Sequence, residues 1–478
     1  MQFTFQKTSR VDEQELTKTI ELLSDYQSHL QEVIVKGGYD SDEASINLPS
    51  DNELIQRVMQ MTGKKKSPNL KYIIVIGIGG SNLGTKAIYD ALYGYYDVMR
   101  NDRFPKMIFL DTQDADVLSN LSSLLSSLSD PNEILINTIS KSGGTTETMA
   151  NFEVVFDMLK SRFSSIADRI VFTTNKGSKL HKAGNNNGID VLNLPEKVGG
   201  RYSIFSAVGL FPLALLGIDI EELMTSAVNI REICVNSHGV ENPALVSASI
   251  LFAQSGQGKN IHDNFIFAPQ LESMGKWYRQ LMGESIGKDG KGITPTVSIG
   301  STDLHSVGQL YLGGPKDKTT TFIYTQHSGK EVIVPQQTHL GLIEMIQGKS
   351  ISSLMRAIVQ GTKRAYEKQE LPYMEIILES ISVAEIATFM QFKMVEMMYL
   401  GKLFGVNTFD QPHVELYKTE TKRILEESLK ETMEIMSDPT LMAAIREGEE
   451  DIKAGRYYDW EDVKKELGLN DVQDKNNS

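Results

Sequence analysis

The sequence predicts an α/β protein with two doubly wound domains, in which mainly parallel sheets are covered by helices and helical segments lie at both ends. Short runs rich in β-branched residues alternate with longer amphipathic stretches, as they do in βαβ units. The runs are almost continuously apolar, which is typical of parallel strands buried on both faces. The length of 478 residues suits two domains better than one.

The first α/β set begins after Leu70. Its strands are predicted from the runs KYIIVIG (71–77), KMIFLD (106–111), EILINTIS (133–140), RIVFTT (169–174) and DVLNL (190–194). Helices are predicted between the runs at about 82–99, 114–128 and 145–163. In sheets of this kind ligands bind beyond the carboxyl ends of the strands, so chemistry is expected in the segments that follow the runs.

The remaining chain divides around this set. The first 65 residues carry apolar side chains at helical spacing, and residues 203–256 are also mainly helical. A second, weaker set of strands is predicted from NFIFAP (264–269), TPTVSIG (294–300) and TTTFIYT (319–325). These patterns predict four parts: a helical segment (1–65), a first α/β domain (66–225), a second α/β domain with a helical surround (226–436) and a C-terminal extension (437–478).

Composition limits the classes of partner. The formal net charge of −14 argues against nucleic acid or an anionic membrane surface as the main partner, because both require a basic face. The single Cys234 excludes an internal disulfide. The N-terminus lacks the apolar core of a signal peptide, and no apolar run is long enough to span a bilayer. We expect a cytoplasmic protein.

The first glycine-rich segment, Gly77 to Gly84 (GIGGSNLG), lies between a strand and a helix. Glycines such as Gly80 let the backbone approach a ligand closely, and amides at a helix start favour anions. Ser81 adds a hydroxyl. The dinucleotide fingerprint requires glycine where Asn82 stands, so a nicotinamide site, in which Asp111 would bind a ribose, needs a broken motif. A sugar or anion site and an ordinary tight turn are the other interpretations.

The second segment, SKSGGTTET (140–148), also lies between a strand and a helix. It combines hydroxyls, a lysine and helix-start amides, which together suit a phosphate monoester. The groups concerned are Ser140, Lys141, Ser142 and Thr145. The alternative is an ordinary N-cap with Glu147 in the first turn, which requires only one hydroxyl.

Four further segments each place one reactive side chain near a turn. Arg201 follows a glycine pair in GGRYS, and Glu284 stands in the glycine-rich segment QLMGESIGK, where we expect a turn. His305 follows a predicted strand in STDLHS, and Lys418 ends the loop-to-helix segment QPHVELYK. Taken singly, each has a plain alternative: an ion pair for Arg201, a solvated carboxylate for Glu284, and surface residues for the other two.

The sequence lacks the motifs that are typical of several other kinds of site. The sequence contains neither an H-E-x-x-H nor a C-x-x-C pair, and we expect no metal site. It also lacks the Walker spacing for nucleotide phosphates. No cofactor is expected.

The order and content of these segments resemble the glucose-6-phosphate isomerase family. The resemblance runs from about Leu70 to Lys418 through IGIGGSNLG, SKSGGTTET, GGRYSIFSAVGLFP, GESIGKDG, STDLHSVGQ and QPHVELYK. It implies two sugar-isomerase (SIS) domains, reversible isomerisation of glucose 6-phosphate to fructose 6-phosphate in glycolysis and gluconeogenesis, and a homodimer with shared active sites.

The resemblance also implies a role for each matching residue. Glu284 matches the base that moves a proton between C2 and C1, and Arg201 matches the residue that stabilises the enediolate. His305, which in this family usually comes from the neighbouring subunit, and Lys418 match the ring-opening pair. The positions that match substrate and phosphate contacts are Gly80, Ser81, Ser140, Lys141, Ser142, Thr145, Gln280 and Gln411.

The chain departs from the family pattern in three places. Ser142 stands where relatives commonly have Thr, and His413 stands where many bacterial relatives have Gly. The chain also continues beyond the usual end, and residues 437–468 resemble the C-terminal arm of prevent-host-death antitoxins. That stretch is interpreted either as a helical hairpin packed on the isomerase or as a partner-binding arm. A non-catalytic sugar-phosphate sensor remains the alternative function.

Overall fold

The computed structural model describes residues 1–329, 331–337, 339–456 and 463–464. The chain divides into two units, Met1–Asp410 and Gln411–Ser478. Every strand of the described residues lies in the first unit. Among the described helices, none combines the length and the apolar character that crossing a membrane requires. The four-part division predicted from the sequence remains a prediction.

The first unit contains ten strands among its described residues. They are β1 (Gln2–Thr4), β2 (Tyr72–Ile76), β3 (Lys106–Leu110), β4 (Ile134–Ile139), β5 (Ile170–Asn175), β6 (Asp190–Leu194), β7 (Ile261–Ile266), β8 (Thr294–Ile299), β9 (Lys318–Thr325) and β10 (Tyr373–Leu378).

Sixteen α-helices are described. They are α1 (Glu13–Glu21), α2 (Ser24–Lys36), α3 (Asn52–Lys65), α4 (Leu83–Tyr93), α5 (Ala115–Ser126), α6 (Thr146–Arg162), α7 (Lys179–Asn186), α8 (Ala207–Leu215), α9 (Ile220–Asn236), α10 (Pro243–Gly256), α11 (Glu272–Ile286), α12 (Gly308–Gly313), α13 (Ile351–Lys368), α14 (Val383–Phe404), α15 (Val414–Ser437) and α16 (Pro439–Lys453).

The first sheet has the strand order β3-β2-β4-β5-β6, and all neighbours are parallel. Each of the five predicted runs forms one of these strands. The chain passes from β2 to β3 on one side and then crosses back to β4 on the other, so the order reverses between β2 and β4. A reversal of this kind opens a crevice at the carboxyl ends of the two strands, where ligands bind in doubly wound sheets.

The second sheet has the order β1-β10-β9-β7-β8. Its four strands from β7 to β10 are parallel and repeat the arrangement of the first sheet, with the reversal between β7 and β9. The predicted α/β class with two doubly wound sheets is confirmed. The strand predicted at 264–269 begins earlier, at Ile261, and the strand β10 was missed.

The purely helical prediction for the N-terminal segment is wrong at its start. β1 pairs antiparallel with β10 and forms an edge of the second sheet. The helix predicted at 82–99 is also shorter. It ends at Tyr93, where Gly94 adopts φ +77°, and a short 3₁₀ helix, Tyr95–Met99, follows. The predicted helical region 203–256 is confirmed as α8, α9 and α10.

A helical layer buries one face of the second sheet. Helix α14 is apolar on almost all sides, and every residue from Phe389 to Gly401 is buried. It packs against α9, α10 and α11. A helix that is buried on all sides is held rigidly in the core. Helix α11, which carries Glu284, packs on α14 and on β8, and this packing fixes its position.

The second unit contains α15 and α16. Asp438 separates the two helices and caps α16, because its carboxylate accepts from the amides of Thr440 (2.8 Å) and Leu441 (3.3 Å). Helix α16 covers the first half of the stretch that resembles an antitoxin arm. The later part of that stretch, apart from residues 463–464, lies outside the described residues, so both of its interpretations stay predictions.

Candidate active site

Both predicted glycine-rich turns lie at the reversal point of the first sheet. The turn from Gly77 follows β2, the turn from Ser140 follows β4, and these strands are parallel neighbours. The turns are close to each other, since a Cβ atom added to Gly77 would lie 3.2 Å from the carbonyl oxygen of Ile139. The structure therefore brings the two predicted anion-binding segments to one edge.

The helices that follow both turns begin without a side-chain cap. Neither Asn82 before α4 nor Thr145 before α6 accepts a capping hydrogen bond. The ordinary N-cap interpretation of Thr145 is therefore wrong: its hydroxyl lies 3.0 Å from the Ser140 hydroxyl instead. By contrast, Ser178 caps α7 by accepting from the amide of His181 at 3.0 Å. Amides in an uncapped first turn are suited to bind an anion.

The turn after β4 is shaped by its own hydroxyls. The amide of Gly143 donates to the Ser140 hydroxyl (3.1 Å), and the amide of Gly144 donates to the Ser142 hydroxyl (3.2 Å). Lys141 is exposed beside them. The side chains that are predicted to bind the phosphate thus lie on one compact turn.

Gly80 allows this edge to contact the segment that carries Arg201. A Cβ atom added to Gly80 would overlap the carbonyl carbon of Gly200 and the amide nitrogen of Arg201. Gly79, with φ +59°, also lies close to Gln280, whose Nε2 atom would be 2.8 Å from an added Cβ. The glycines are needed here for close backbone approach.

Gly80→Ala is expected to destabilise the protein by about 1–3 kcal/mol, because the new methyl group must push two backbone segments apart. The matched control is Gly63→Ala in helix α3, where an added Cβ meets nothing within 4 Å. That change should be neutral or stabilising by up to about 1 kcal/mol, since alanine favours helix more than glycine does. Thermal unfolding of both variants measures the difference, and equal melting temperatures would contradict the close approach.

Arg201 is buried and its guanidinium is held by several partners. The Nε atom donates to the Ser285 hydroxyl (2.9 Å), and Nη2 donates to the carbonyl oxygens of Thr408 (2.6 Å) and Asp410 (2.9 Å). The Nη1 atom lies 3.3 Å from Oε2 of Glu284. A cation fixed in this way is a preorganised partner for negative charge.

Glu284 lies in the last turn of α11, so the prediction that it stands in a glycine-rich turn is wrong. Gly283 is accommodated within the helix, and Gly287 follows its end. The Glu284 side chain is 26% exposed whereas that of Arg201 is 1% exposed. The carboxylate is therefore the member of the pair that remains accessible to a ligand.

Gln280 lies one helical turn before Glu284 and donates from Nε2 to Oε1 of Glu284 at 3.0 Å. The Oε1 atom of Gln280 is buried and has no hydrogen-bond partner among the described residues. A buried amide oxygen without a partner is costly unless a ligand or water satisfies it. A sugar hydroxyl would fill that role.

Sequence reasoning gave no role to Ser285 and Lys288. Besides accepting from Arg201, the Ser285 hydroxyl lies 3.0 Å from the hydroxyl of buried Tyr202. The signal for Ser285 is its place beside Glu284 in the GES tripeptide. Lys288 ends the segment quoted above, and its Nζ atom donates to the carbonyl oxygens of Asn407 and Asp410. No sequence pattern indicates these contacts.

The other predicted residues lie on other segments of the chain. His305 is exposed at the end of a 3₁₀ helix, Thr302–His305, and makes no hydrogen bond with Glu284 or Arg201 among the described residues. Lys418 lies in α15 of the second unit, where its Nζ atom forms an ion pair with Glu415 at 2.7 Å. Gln411 is the first residue of that unit.

Known proteins match most of this chain. The family model for phosphoglucose isomerase matches residues 27–444. A glucose-6-phosphate isomerase of Methanocaldococcus jannaschii is 34% identical over 370 residues, covering 76% of this chain and 87% of that protein. One of Rubrobacter xylanophilus is 32% identical over 379 residues and covers 78% of this chain and 87% of its own.

The solved structures agree on the fold. The crystal structure of a glucose-6-phosphate isomerase from Chlamydia trachomatis superposes with a TM-score of 0.75 at 20% identity, covering 93% of this chain and 90% of that one. A hypothetical protein of Thermus thermophilus gives the same TM-score at 29% identity, covering 87% of this chain and 99% of its own. The family model and the curated relatives establish that this chain belongs to the phosphoglucose isomerase family.

Proposed function

We propose that the chain interconverts glucose 6-phosphate and fructose 6-phosphate by proton transfer through a cis-enediolate. The single observation that carries the proposal is the Arg201–Glu284 pair, in which a buried guanidinium lies 3.3 Å from an accessible carboxylate. A carboxylate beside a fixed cation suits removal of a carbon-bound proton followed by stabilisation of the anion that forms. The relatives named above are glucose-6-phosphate isomerases, which supports the same reaction.

The phosphate group of the substrate is assigned to the turn after β4. Ser140 and Thr145 supply hydroxyls, and Lys141 supplies a positive charge. The uncapped start of α6 adds amides, and Ser142 and Ser81 add further hydroxyls at the same edge. Binding of this remote group orients the reacting carbons, because substrate binding energy is spent on positioning.

The reacting carbons of the substrate, C1 and C2, are assigned to a position beside the Glu284 carboxylate. The carboxylate takes the proton from C2 of glucose 6-phosphate and returns a proton to C1, while the hydroxyl proton on O2 is transferred to O1, which gives fructose 6-phosphate. Negative charge develops on the oxygens of C1 and C2 in between, and Arg201 stabilises it. Gln280 holds the carboxylate by its amide hydrogen bond and offers its second amide atom to a substrate hydroxyl.

Ring opening is assigned to His305 and Lys418, and Gln411 is assigned to substrate contact. Opening the ring requires one proton to leave the anomeric hydroxyl and another to reach the ring oxygen, which is acid–base work. These roles are carried over from the family resemblance. We also propose that the enzyme acts in the cytoplasm, in glycolysis and gluconeogenesis.

We further propose a homodimer in which each chain contributes His305 to the site of the other. Exposure of His305 at the end of its 3₁₀ helix supports this assignment. A second support is the apolar loop, residues 339–345, in which the exposed fractions of Leu340, Leu342 and Met345 are 79%, 81% and 78%. Exposed apolar groups gathered in one segment are typical of a protein interface.

Leu342→Glu is expected to shift the protein from dimer to monomer and to lower isomerase activity at the same protein concentration. The reason is that a charge cannot be buried in an apolar interface without a partner. Light scattering after size exclusion measures the mass. The control is Val35→Glu, since Val35 is 88% exposed on helix α2. A dimer that survives Leu342→Glu, or that breaks equally in the control, would contradict the assignment of the loop.

The proposed reaction is tested by conversion of fructose 6-phosphate to glucose 6-phosphate by EDTA-treated wild-type protein. We expect sustained turnover. The alternative is a non-catalytic sugar-phosphate sensor, which would bind the sugar phosphate without converting it. Binding without turnover would overturn the proposal in favour of that sensor.

A further inference from the structure

A tight turn follows the helix that carries Glu284. The backbone amides and carbonyls of Lys288 and Lys291 pair in both directions, at 3.2 and 2.8 Å. Between them Asp289 and Gly290 adopt φ +54° and +71°. Two central residues with positive φ are typical of a type I′ turn. The turn fixes where Lys288 and Lys291 lie relative to α11.

Lys288 binds the connection that follows helix α14, and Lys291 binds the last residue of that helix. The Nζ atom of Lys288 donates to the carbonyl oxygens of Asn407 and Asp410, the latter at 2.7 Å, and to Oδ1 of Asp410 at 2.7 Å. The Nζ atom of Lys291 donates to the carbonyl oxygen of Phe404 at 2.9 Å. An ammonium group has three N–H donors, so Lys288 is fully satisfied by this one short segment.

Lys288 differs from Lys291 in its surroundings. Lys288 is buried, whereas Lys291 is exposed. Burial lowers the pKa of Lys288, and the Asp410 carboxylate opposes that shift. A buried ammonium bound to a carboxylate and two carbonyl oxygens holds its partners more firmly than a surface lysine does.

Arg201 shares an acceptor with Lys288. Its Nη2 atom donates to the carbonyl oxygens of Thr408 and Asp410, and the Asp410 carbonyl also accepts from Lys288. Residues 407–410 are therefore the acceptors against which the Arg201 guanidinium is aligned. If they move, Arg201 loses two of the acceptors that align its guanidinium with Glu284.

We propose that Lys288 is a positioning residue that fixes residues 407–410 and thereby aligns Arg201 with Glu284. The inference rests on the proposed isomerase function. Lys288 does not touch the reacting atoms in this account; it acts through the carbonyl oxygens that Arg201 binds. The same segment leads directly into Gln411 and Lys418 along the chain.

The test compares Lys288→Met with Lys291→Met. We expect kcat for fructose 6-phosphate to fall by about 10- to 100-fold in Lys288→Met, because small displacements of a catalytic group have effects of this size. The KM should change by less than about threefold, since the phosphate turn is untouched. Lys291→Met should retain kcat within about twofold. Lys288→Arg should recover part of the loss, because it restores a cation at the same place.

A second measurement separates positioning from a loss of structure. A phosphorylated aldonohydroxamate, whose planar anionic head resembles the enediolate, should bind Lys288→Met more weakly by a factor close to the loss in kcat. Affinity for inorganic phosphate should be unchanged. If Lys288→Met folds poorly, Asp410→Asn replaces it: the backbone acceptors remain and only the charge is lost, so a smaller fall in kcat is expected.

The outcomes distinguish the two proposals. Absence of turnover by the wild-type protein would contradict the proposed function. With an active wild-type protein, unchanged kcat in Lys288→Met, or an equal loss in Lys291→Met, would overturn the positioning role. Loss of kcat with unchanged affinity for the hydroxamate would also overturn it.

Discussion

Glu284→Gln is expected to lower kcat for fructose 6-phosphate by roughly 10²- to 10⁴-fold, the range that a positioned general base contributes. The KM should change little, because an amide of the same shape still fills the site. The measurement is steady-state conversion of fructose 6-phosphate by each variant. Since proton transfer is lost in both directions, the reverse reaction should fall by the same factor.

The hydrogen bonds around position 284 can survive this change. The new amide oxygen can accept from Nη1 of Arg201, as Oε2 of Glu284 does at 3.3 Å. Rotation of the Gln280 amide by 180° would bring its Oε1 atom, which lacks a partner among the described residues, to accept from the new amide nitrogen. Loss of activity without loss of stability is therefore the expected signature.

The matched control is Glu272→Gln at the start of the same helix. The Glu272 carboxylate forms an ion pair with Lys276 at 2.8 Å, and both side chains are partly exposed. Its replacement should leave kcat within about twofold, since exposed ion pairs contribute little. Equal activity of Glu284→Gln and the wild-type protein would remove Glu284 from the reaction.

Glu396→Leu should lower the free energy of unfolding by about 3–5 kcal/mol, because it leaves a buried charge without its partner. The side chains of Lys393 and Glu396 are both fully buried, with Nζ and Oε1 at 2.8 Å. Burial lowers the pKa of Lys393, while Glu396 opposes that shift. The rings of Tyr278 and Phe392 lie beside the ammonium, with their centroids 4.9 and 5.0 Å from Nζ.

The same pair allows a graded comparison. Glu396 also accepts from the hydroxyls of Ser247 and Tyr278, the latter at 3.1 Å, so Lys393→Met leaves the carboxylate two donors. That change should cost less than Glu396→Leu. The double variant should be more stable than Glu396→Leu alone, because no unpaired charge remains. Denaturant midpoints measure all three, and a double variant less stable than Glu396→Leu would contradict the expected order.

A hydrogen-bonded chain extends from this pair into the second sheet. The Tyr278 hydroxyl, which donates to Glu396, lies 3.1 Å from Nδ1 of His262, and Nε2 of His262 lies 2.8 Å from the Thr321 hydroxyl. Burial holds the pKa of His262 well below its usual value, so the ring is neutral. Because Tyr278 and Glu284 lie on the same helix, these bonds also anchor α11 to the sheet.

The fold could be predicted from the sequence where the signal is local. The runs of the first set are apolar and bounded by turn residues, and each forms a strand. β1 has only three residues, and its pairing with β10 depends on a partner more than 300 residues away, which no local pattern reveals. β10 itself carries a strand-like run, YMEIIL, so its signal was present in the sequence.

The sequence could predict which residues belong to the site, but it could not predict how they are arranged in space. Glycines around Glu284 suggested a turn, yet buried residues at helical spacing, among them Tyr278, Leu281 and Ser285, keep α11 helical through this position. The contacts of Arg201 with the carbonyl oxygens of Thr408 and Asp410 have no sequence signal, because every residue has a carbonyl. Tertiary packing decides both features.

The proposed reaction depends on proton transfer at C1 and C2 with Glu284 as the base. Its most direct test is equilibration of fructose 6-phosphate with the wild-type protein in D₂O, followed by mass and NMR analysis of the sugar phosphates. We expect deuterium at C2 of glucose 6-phosphate and at C1 of fructose 6-phosphate after many turnovers, and far less incorporation in the same time with Glu284→Gln. Continued interconversion without any deuterium would indicate hydride transfer and contradict the enediolate route.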